Sequence, residues 1–370
     1  MQSKRKIPIA KPIIEDDDIE AVEKVLRSGM LAQGEEVRLF EEEFAEYTGT
    51  EHAVAVSSGT AALDLVLKAF NLGPGDEVVT TSFSFVATAN AILYQGARPV
   101  FADIDPKTYN IDPEDVLEKI TDRTRAIIAV HLYGQPADIK ALAEIAEDHN
   151  LILIEDAAQA HGAEFMGRKV GSFGDAAVFS FYPTKNMTTG EGGIVTTNSR
   201  EIAQKIKLLR DHGQTKKYLH EVLGWNLRMT NIAAALGRTQ LRKLERLNSL
   251  RSKNAEVLNA ELSRIEGIRT PYVMPGAKHV WHQYVISIED EFPLSRDELY
   301  RRLEEEGVGV AVHYPRPIHQ QPLYRKLGYP ANLCPRAIEA SRRVLSLPVH
   351  PAVTRDDLKY VVSIIRRLAT

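Results

Sequence analysis

Short apolar runs and amphipathic stretches alternate along the first part of the chain. Apolar runs bounded by turn residues predict strands, and apolar residues spaced three or four positions apart predict helices. The predicted strands lie at 52–57, 77–81, 99–102, 126–130 and 151–154. The predicted helices between them lie at 60–70, 86–94, 112–120 and 139–150. This alternation predicts an α/β fold with a mainly parallel sheet flanked by helices.

Two of the predicted strands, 126–130 and 151–154, are apolar at every position. Strands of this kind lie in the middle of a sheet that helices cover on both faces. Two further helices are predicted ahead of the alternation, at 15–28 and 37–47. We therefore expect a layered structure in which the central strands are buried on both sides.

The pattern changes in the second part of the chain. A long, charge-rich helix is predicted from 229 to about 265. Beyond it the sequence predicts strands at 281–288 and 309–313, and helices at 295–306, 335–343 and 354–368. We therefore expect two domains, a large α/β domain at 1–246 that includes the N-terminal helix, and a smaller α+β domain at 247–370.

Composition excludes several classes of protein. The 370 residues are 44% hydrophobic and 26% charged, with a formal net charge of -4, which argues against binding to nucleic acid. Apolar runs are too short for a membrane-spanning helix, and no apolar run follows the basic residues near the N-terminus as in a signal peptide. Cys334 is the single cysteine, so no internal disulfide can form. These features predict a cytoplasmic protein.

An acidic pair directly follows the predicted strand at 151–154. In open α/β sheets, ligands bind outside the carboxyl ends of the strands, which is where Asp156 emerges. A partly desolvated carboxylate at this place can keep a ring nitrogen protonated, as pyridoxal phosphate (PLP) requires. A surface or capping carboxylate is the alternative interpretation.

A lysine stands in a loop between a strand-like run and a glycine-rich turn at 190–193. Only one other charged residue, Asp175, lies between Lys169 and Glu191, so the surroundings of Lys185 are poor in charge. A lysine that forms a Schiff base must be partly desolvated, so that its amine is often neutral. A surface lysine in a loop is the alternative.

Four further segments contain groups that suit a bound ligand. The segment 57–63 opens a helix with hydroxyl side chains, which suits a phosphate, although a plain helix cap would look the same. Phe85 follows a strand and could stack on a planar ring or fill the core. Asn226 and Arg228 alternate and could both face an anion. The proline-rich segment 312–322 contains many donors and suits one wall of a substrate site or a polar surface loop.

Together these segments, in this order and spacing, resemble the DegT/DnrJ/EryC1/StrS family of PLP-dependent sugar aminotransferases. The resemblance runs from about Ile14 to the C-terminus. It implies the fold of aspartate aminotransferase, known as fold type I, and PLP as cofactor. It also implies that Lys185 anchors the cofactor and shuttles the proton, that Asp156 pairs with the pyridinium nitrogen, and that Gln159 contacts the ring hydroxyl.

The same resemblance assigns the remaining cofactor and substrate contacts. Phe85 would stack on the ring, and Asn226 would reach the phosphate bound by a neighbouring subunit, so that a homodimer shares its active sites. The phosphate contacts would be Ser58, Gly59, Thr60 and Ser180. The contacts of the sugar nucleotide would be His161, Arg228, His313, Tyr314 and His319.

The implied reaction moves an amino group from L-glutamate to a nucleotide-linked keto-sugar. The segments 180–193 and 224–237 are most similar to perosamine-synthase-like members. A PLP-dependent sugar dehydratase of the same family is the nearest alternative, but its members replace the anchoring lysine with histidine. A metal-dependent glycosyltransferase is a further alternative, because Asp103 and Asp105 resemble an acid pair that binds metal, although a turn explains them equally well.

Overall fold

The computed structural model describes residues 5–369 and is built around a seven-stranded sheet. Its strands follow the order β1-β7-β6-β5-β4-β2-β3 across the sheet. All neighbouring pairs are parallel except those of β7, which runs antiparallel to both β1 and β6. The strands are β1 (His52–Val56), β2 (Glu77–Thr81), β3 (Arg98–Ala102), β4 (Thr124–Val130), β5 (Ile152–Asp156), β6 (Ala176–Ser180) and β7 (Gly193–Thr197).

Helices cover both faces of this sheet, which confirms the predicted α/β fold. Ala126 and Ile128 of β4 pack into one apolar cluster together with α3 and α7. Ile127 and Ala129 pack into another on the opposite face, with α5 and α6. The central strand is therefore buried on both sides, as its uninterrupted apolar sequence predicts. The covering helices are α3 (Gly59–Ala69), α4 (Ala87–Tyr94), α5 (Pro113–Lys119), α6 (Ile139–Asp148) and α7 (Arg200–Arg210).

Two N-terminal helices, α1 (Asp16–Ser28) and α2 (Glu35–Thr48), pack against the long helix α8 (Asn231–Leu262). A buried carboxylate, Asp18, fixes this contact. Its oxygens accept hydrogen bonds from Lys243 Nζ at 2.5 Å, from Gln240 Nε2 at 3.1 Å and from the hydroxyl of Thr239. Because all three of these side-chain donors come from α8, the carboxylate sets how α1 lies on that helix.

The C-terminal part forms a second layer around the three-stranded sheet β8 (Ile268–Arg269), β9 (Tyr284–Ile288) and β10 (Val344–Leu347). Its core unites buried residues of the second half of α8 with those of β9, β10, α9 and α12. The predicted boundary after residue 246 falls inside α8, which is continuous, and the division into two domains remains a prediction. The helices of this part are α9 (Arg296–Glu305), α10 (Pro322–Lys326), α11 (Pro335–Arg343) and α12 (Arg355–Leu368).

The sequence-based prediction was wrong at 309–313, where the structure has no strand. Valines at every second position give this segment a strand-like pattern. Its backbone hydrogen bonds are divided between two partners, however: Gly309 N donates to Ile7 O, and Ala311 exchanges bonds with Ser346. No continuous ladder forms, and the segment ends as a loop. The prediction also omitted α7, β7 and β10, and it indicated β6 only as a strand-like run before Lys185.

The helices differ greatly in length and polarity. At 32 residues, α8 is long enough to cross a bilayer, but charged side chains recur along it. Within residues 5–369, no helix combines the necessary length with the necessary apolar character.

The ion pair between α1 and α8 leads to a test of stability. Replacing Lys243 with Met leaves the carboxylate of Asp18 buried without its cation, and we expect the free energy of unfolding to fall by about 3 kcal/mol. Arg246→Met is the matched control, because Arg246 pairs with Glu15 one turn away and its side chain is 53% exposed. The control should lose less than about 1 kcal/mol. Urea denaturation measures both values, and equal losses would contradict the assigned role of Asp18.

Candidate active site

A cavity of about 590 Å³ opens at the carboxyl edge of the central sheet. The last residues of three adjacent strands line it: Val130 of β4, Asp156 of β5 and Ser180 of β6. Open α/β sheets bind their ligands at this edge. Lys185 also lines the cavity, together with residues between Ser58 and Tyr314. Most of the site residues predicted from the sequence therefore lie together.

Asp156 is buried on the floor of the cavity. Its Oδ2 accepts a hydrogen bond from the hydroxyl of Thr88 at 2.8 Å, and its Oδ1 accepts one from the backbone N–H of Ala158 at 3.2 Å. Burial raises the pKa of Asp156, while these two donors and the nearby Lys185 act in the opposite direction. The surroundings thus contain the donors that an anionic carboxylate needs in an otherwise dry place.

Lys185 lies on the wall of the cavity, between β6 and the glycine-rich turn that leads into β7. It keeps some accessible surface because it borders open space, but the protein packed around its amine removes most of the water. This desolvation lowers its pKa to about 8, against the opposing attraction of Asp156. Such an amine is neutral far more often than that of an ordinary lysine, as attack on an aldehyde requires.

The start of α3 forms one end of the cavity. Ser58 caps the helix by accepting a hydrogen bond from Ala61 N at 3.1 Å, and Gly59 and Thr60 begin the first turn. A Cβ added to Gly59 would lie 2.7 Å from the Cβ of Ser180, so only glycine fits this close approach. Free N–H groups and hydroxyls at a helix start suit a phosphate group.

Gln159 also lines the cavity, and two hydrogen bonds hold its side-chain amide in one orientation. Its Oε1 accepts a hydrogen bond from Tyr133 N at 2.9 Å, and its Nε2 donates to the hydroxyl of Tyr314 at 3.1 Å. Tyr133 has a φ of 59°, in the left-handed region that a residue with a large side chain rarely adopts. The fold maintains this strained backbone beside the cavity, and it fixes the amide of Gln159.

Phe85 lies at the mouth of the cavity. Its ring is 57% exposed and its centroid lies 6.4 Å from that of Tyr314. An aromatic ring that is exposed beside a cavity can stack on a flat ligand or against a second chain. His313 also lines the cavity, so that Phe85, His313 and Tyr314 join the groups that the sequence predicts for the site.

Four residues proposed from the sequence do not line this cavity. His161 is buried beneath it, with ring centroids 5.5 Å from Phe179 and 5.7 Å from Phe181. Burial, together with the charge of Lys185, lowers the pKa of His161 to about 3, so it is a neutral packing group. The other three are Asn226 and Arg228, on an extended segment where Arg228 pairs with Asp211, and His319, packed against Phe101.

Sequence reasoning missed several residues that line the cavity. Ser84 and Thr88 lie four positions apart, a spacing that could have indicated a shared helical face. His282 and Gln283 come from the C-terminal part, and nothing in their local sequence indicates a site. Tyr182, Thr184 and Glu191, which lie near Lys185 in sequence, were also missed.

The acid pair at Asp103 and Asp105 has a structural role. Asp103 accepts hydrogen bonds from the backbone N–H groups of Arg336 and Ala337, both at 2.9 Å, and so caps α11. Asp105 accepts from Lys107 N at 2.9 Å in a tight turn. Within residues 5–369, no three His, Cys, Asp or Glu side chains come together as metal ligands. The turn is therefore the better explanation of this motif.

The fold and the cavity define a class of protein. A mainly parallel sheet that presents a desolvated lysine, a buried carboxylate and a helix start at its carboxyl edge is the architecture of fold type I PLP-dependent transferases. A profile of the DegT/DnrJ/EryC1/StrS aminotransferase family matches residues 12–366. The chain belongs to this family and is a PLP-dependent aminotransferase.

Individual relatives agree with this membership. The chain is 41% identical to the dTDP-3-amino-3,4,6-trideoxy-α-D-glucose transaminase of Streptomyces venezuelae, over 94% of this chain and 91% of that protein. It is 36% identical to the GDP-perosamine synthase of Caulobacter vibrioides, over 97% of each. The structure of Spr1654 from Streptococcus pneumoniae in its PLP form superposes with a TM-score of 0.93 at 27% identity, covering 99% of both chains.

The side chains fit PLP on grounds of their chemistry. The cavity offers a lysine that is deprotonated more easily than usual, a carboxylate for a ring nitrogen, and a helix start where a Cβ on Gly59 would collide. Each of the three matches one part of the cofactor: the aldehyde, the pyridine ring and the phosphate. When bound, PLP supplies an electron sink for carbanion chemistry.

The lowered pKa of Lys185 leads to a prediction of reactivity. With a pKa of about 8, Lys185 is neutral at pH 7 ~300 times more often than a lysine at 10.5. Its acylation by acetic anhydride in the cofactor-free protein should rise with pH and level off above about pH 8. Lys278 is an internal control, since its ion pairs with Glu164 and Glu245 outweigh burial and raise its pKa. Mass spectrometry of the labelled peptides gives both profiles, and identical profiles would refute the desolvation of Lys185.

Proposed function

We propose that the protein transfers an amino group from L-glutamate to a nucleotide-linked keto-sugar and so forms a nucleotide-linked amino sugar. The observation that carries the proposal is a desolvated Lys185 in the same cavity as the buried Asp156. The sugar part is supported by two relatives that are named for dTDP- and GDP-linked amino sugars. A cavity of about 590 Å³ leaves room for a substrate beside the cofactor.

The proposed cofactor contacts follow the geometry of the cavity. Asp156 would face the ring nitrogen and hold it protonated, since Thr88 and Ala158 already stabilise the carboxylate as an anion. Gln159, fixed by Tyr133, would donate to the ring hydroxyl. Phe85 would stack on one face of the ring. Ser58, Gly59, Thr60 and Ser180 would hold the phosphate.

Lys185 has two proposed tasks. Its amine would anchor the cofactor, and the free Nζ would accept the proton from the substrate carbon and hold it until the proton is returned. A pKa of about 8 suits both directions, because the amine can hold or release a proton near neutral pH. Asp156 stays charged during this exchange and does not transfer a proton.

A second copy of the chain would complete the site. Asn226 and Arg228 lie outside the cavity of their own chain, on a segment next to the exposed side chains of Val222 and Leu223. Exposed apolar groups of this kind favour association. We propose that Asn226 reaches the phosphate in the partner's cavity and that Arg228 contacts the substrate there. His161 and His319 would shape the sugar pocket only indirectly, from beneath its walls.

Lys185 also decides between the aminotransferase and a dehydratase of the same family. Dehydratases in this family carry histidine at the anchoring position, as the resemblance implies, and here that position is a lysine. Either enzyme would take nitrogen from the amino donor and release an oxo acid. The aminotransferase leaves that nitrogen in the sugar, whereas the dehydratase would remove a hydroxyl from the sugar and release the nitrogen as ammonia. Assaying ammonia and 2-oxoglutarate in the same reaction separates the two.

Absorption spectra test whether Lys185 anchors the cofactor. The protein with PLP should show the visible absorption of lysine-bound cofactor, and L-glutamate should remove it as the pyridoxamine form accumulates. Lys185→Ala should show neither change and lose turnover by at least about 10³-fold, because both the anchor and the proton carrier are gone. Lys169→Ala is the control, because this lysine pairs with Glu164 and Glu245 outside the cavity. Normal turnover by Lys185→Ala without added amine would refute the mechanism.

The reverse of the second half-reaction, in which an amino sugar returns its amino group to the cofactor, tests which sugar the cavity accepts. Mixing the PLP-loaded protein with GDP-perosamine, or with dTDP-3-amino-3,4,6-trideoxy-α-D-glucose, should convert the cofactor to its pyridoxamine form if the cavity accepts that sugar. We expect conversion by at least one, at a rate that depends on its concentration. Free D-glucosamine is the control without a nucleotide and should react at least about tenfold more slowly, because it lacks the nucleotide contacts. Equal rates with the control would argue against a nucleotide-linked substrate.

A further inference from the structure

Three side chains of the C-terminal part close a ring of hydrogen bonds at the edge of the cavity. His313 Nδ1 lies 2.9 Å from Ser346 Oγ, and Ser346 Oγ donates to Gln283 Oε1 at 2.9 Å. Gln283 Nε2 lies 3.3 Å from His313 Nε2 and completes the ring. His313 and Gln283 line the cavity together with Lys185, whereas Ser346 is fully buried on β10 behind them.

The number of protons in this ring fixes the role of each group. A serine hydroxyl has one proton, and Ser346 gives it to Gln283. His313 Nδ1 must therefore carry the proton that reaches Ser346 Oγ. His313 Nε2 is then the acceptor for the amide of Gln283, and the imidazole is neutral in its Nδ1–H form.

This arrangement occupies both nitrogens of His313. Burial, strengthened by the charge of Lys185, lowers the pKa of His313 to about 4, so the ring stays neutral at physiological pH. His313 therefore has no N–H left for a ligand and cannot serve as a proton donor there. Its predicted contact with the sugar nucleotide stays a prediction, and that contact would involve no hydrogen bond donated by the ring.

Gln283, by contrast, has a donor to spare. Its Nε2 carries two N–H groups and makes a single hydrogen bond to any residue in the range 5–369, the one to His313. Its backbone N–H is bound to Tyr133 O at 3.1 Å, which holds the residue against the opposite wall. Because Gln283 and Lys185 line the same cavity, this second N–H is the donor that Gln283 can offer to a ligand there.

We propose that Gln283 binds an oxygen atom of the reacting substrate through this N–H, and that His313 and Ser346 are positioning residues that keep the amide from turning over. The ligand is an oxygen acceptor: either a carboxylate oxygen of the amino donor or a hydroxyl of the sugar. The identity of that ligand rests on the proposed aminotransferase function, whereas the hydrogen-bond ring does not.

Rapid-mixing absorbance of the PLP-loaded protein tests the binding role. Each half-reaction is measured separately, with L-glutamate in one arm and the two nucleotide amino sugars in the other. Gln283→Leu should raise the apparent dissociation constant by about tenfold in at least one arm, as expected for one lost hydrogen bond. Ser346→Ala should shift the same arm in the same direction, because the amide is then free to turn. Unchanged constants in both arms for Gln283→Leu would overturn the proposal.

Ser287→Ala is the matched control for Ser346→Ala. Both serines are 1% exposed and lie on adjacent strands of the same sheet, but the hydroxyl of Ser287 bonds to neither His313 nor Gln283. This control should leave both arms unchanged. If it shifts them as much as Ser346→Ala does, the effect comes from the sheet and the proposal falls.

Gln283→Glu distinguishes the two sources of the oxygen. A carboxylate at this position repels a substrate carboxylate but can still accept a bond from a sugar hydroxyl. A loss of affinity of about a hundredfold or more for L-glutamate alone would identify the carboxylate of the amino donor as the ligand. The sugar hydroxyl would be identified as the ligand if Gln283→Leu weakens binding of the nucleotide amino sugars and Gln283→Glu weakens it by about tenfold or less.

A spectroscopic measurement tests the ring without any substrate. The nitrogen chemical shifts of His313 in the ¹⁵N-histidine-labelled protein, assigned by comparison with His313→Gln, report which nitrogen carries the proton. The Nδ1–H form supports the ring, and the Nε2–H form would overturn it, because the amide of Gln283 would then face the other way. If the wild-type protein reacts with neither probe, the proposed function fails, and this measurement still decides the hydrogen-bond ring.

Discussion

A lysine amine and a carboxylate lose their water in the same cavity, and the rest of the site depends on that shared desolvation. Burial favours the neutral form of both Lys185 and Asp156, and their mutual attraction favours the charged forms. The balance leaves the lysine easily deprotonated while Thr88 and a backbone N–H support the carboxylate. In a more exposed cavity, Lys185 would have the pKa of an ordinary lysine. In a deeper one, the charged form of Asp156 would be much less stable.

The central sheet allows these two side chains to be desolvated without placing them in the hydrophobic core. Its strands are apolar on both faces and covered by helices, so the carboxyl edge is the place where polar side chains can emerge without entering the core. Asp156, Val130 and Ser180 reach the cavity because each ends its strand. The position of the chemistry is therefore a consequence of how the sheet is buried.

The C-terminal part supplies the opposite wall, and it does so with a connected polar network. Tyr133 links the two parts: its N–H fixes Gln159, its carbonyl accepts from Gln283, and its hydroxyl donates to the carbonyl of His313. A single residue in a strained backbone conformation thus fixes Gln159, Gln283 and His313 relative to one another. These bonds connect the walls of the cavity although the residues that form it come from distant parts of the chain.

The sequence predicted those features that depend on neighbours along the chain. The apolar run 126–130 identified a central strand because both of its faces are buried, and the motifs around Asp156 and Lys185 predicted two residues that share one cavity. The same local reasoning failed at 309–313, where alternating valines suggested a strand but the hydrogen bonds go to Ile7 and Ser346. Periodicity reports which side of a segment is buried and not which partner its backbone finds.

By itself, then, the sequence determined the fold class and the family, because short motifs and periodic patterns encode them locally, and it predicted Lys185 and Asp156 as the two central residues. Only the tertiary structure decided which of the candidate residues share a cavity. It placed His161 in the core, left Asn226 and Arg228 outside their own cavity, and added Gln283. The physical reason is that these roles depend on hydrogen bonds between residues far apart in the chain, such as the 63 positions that separate Gln283 from Ser346. No local pattern carries that information.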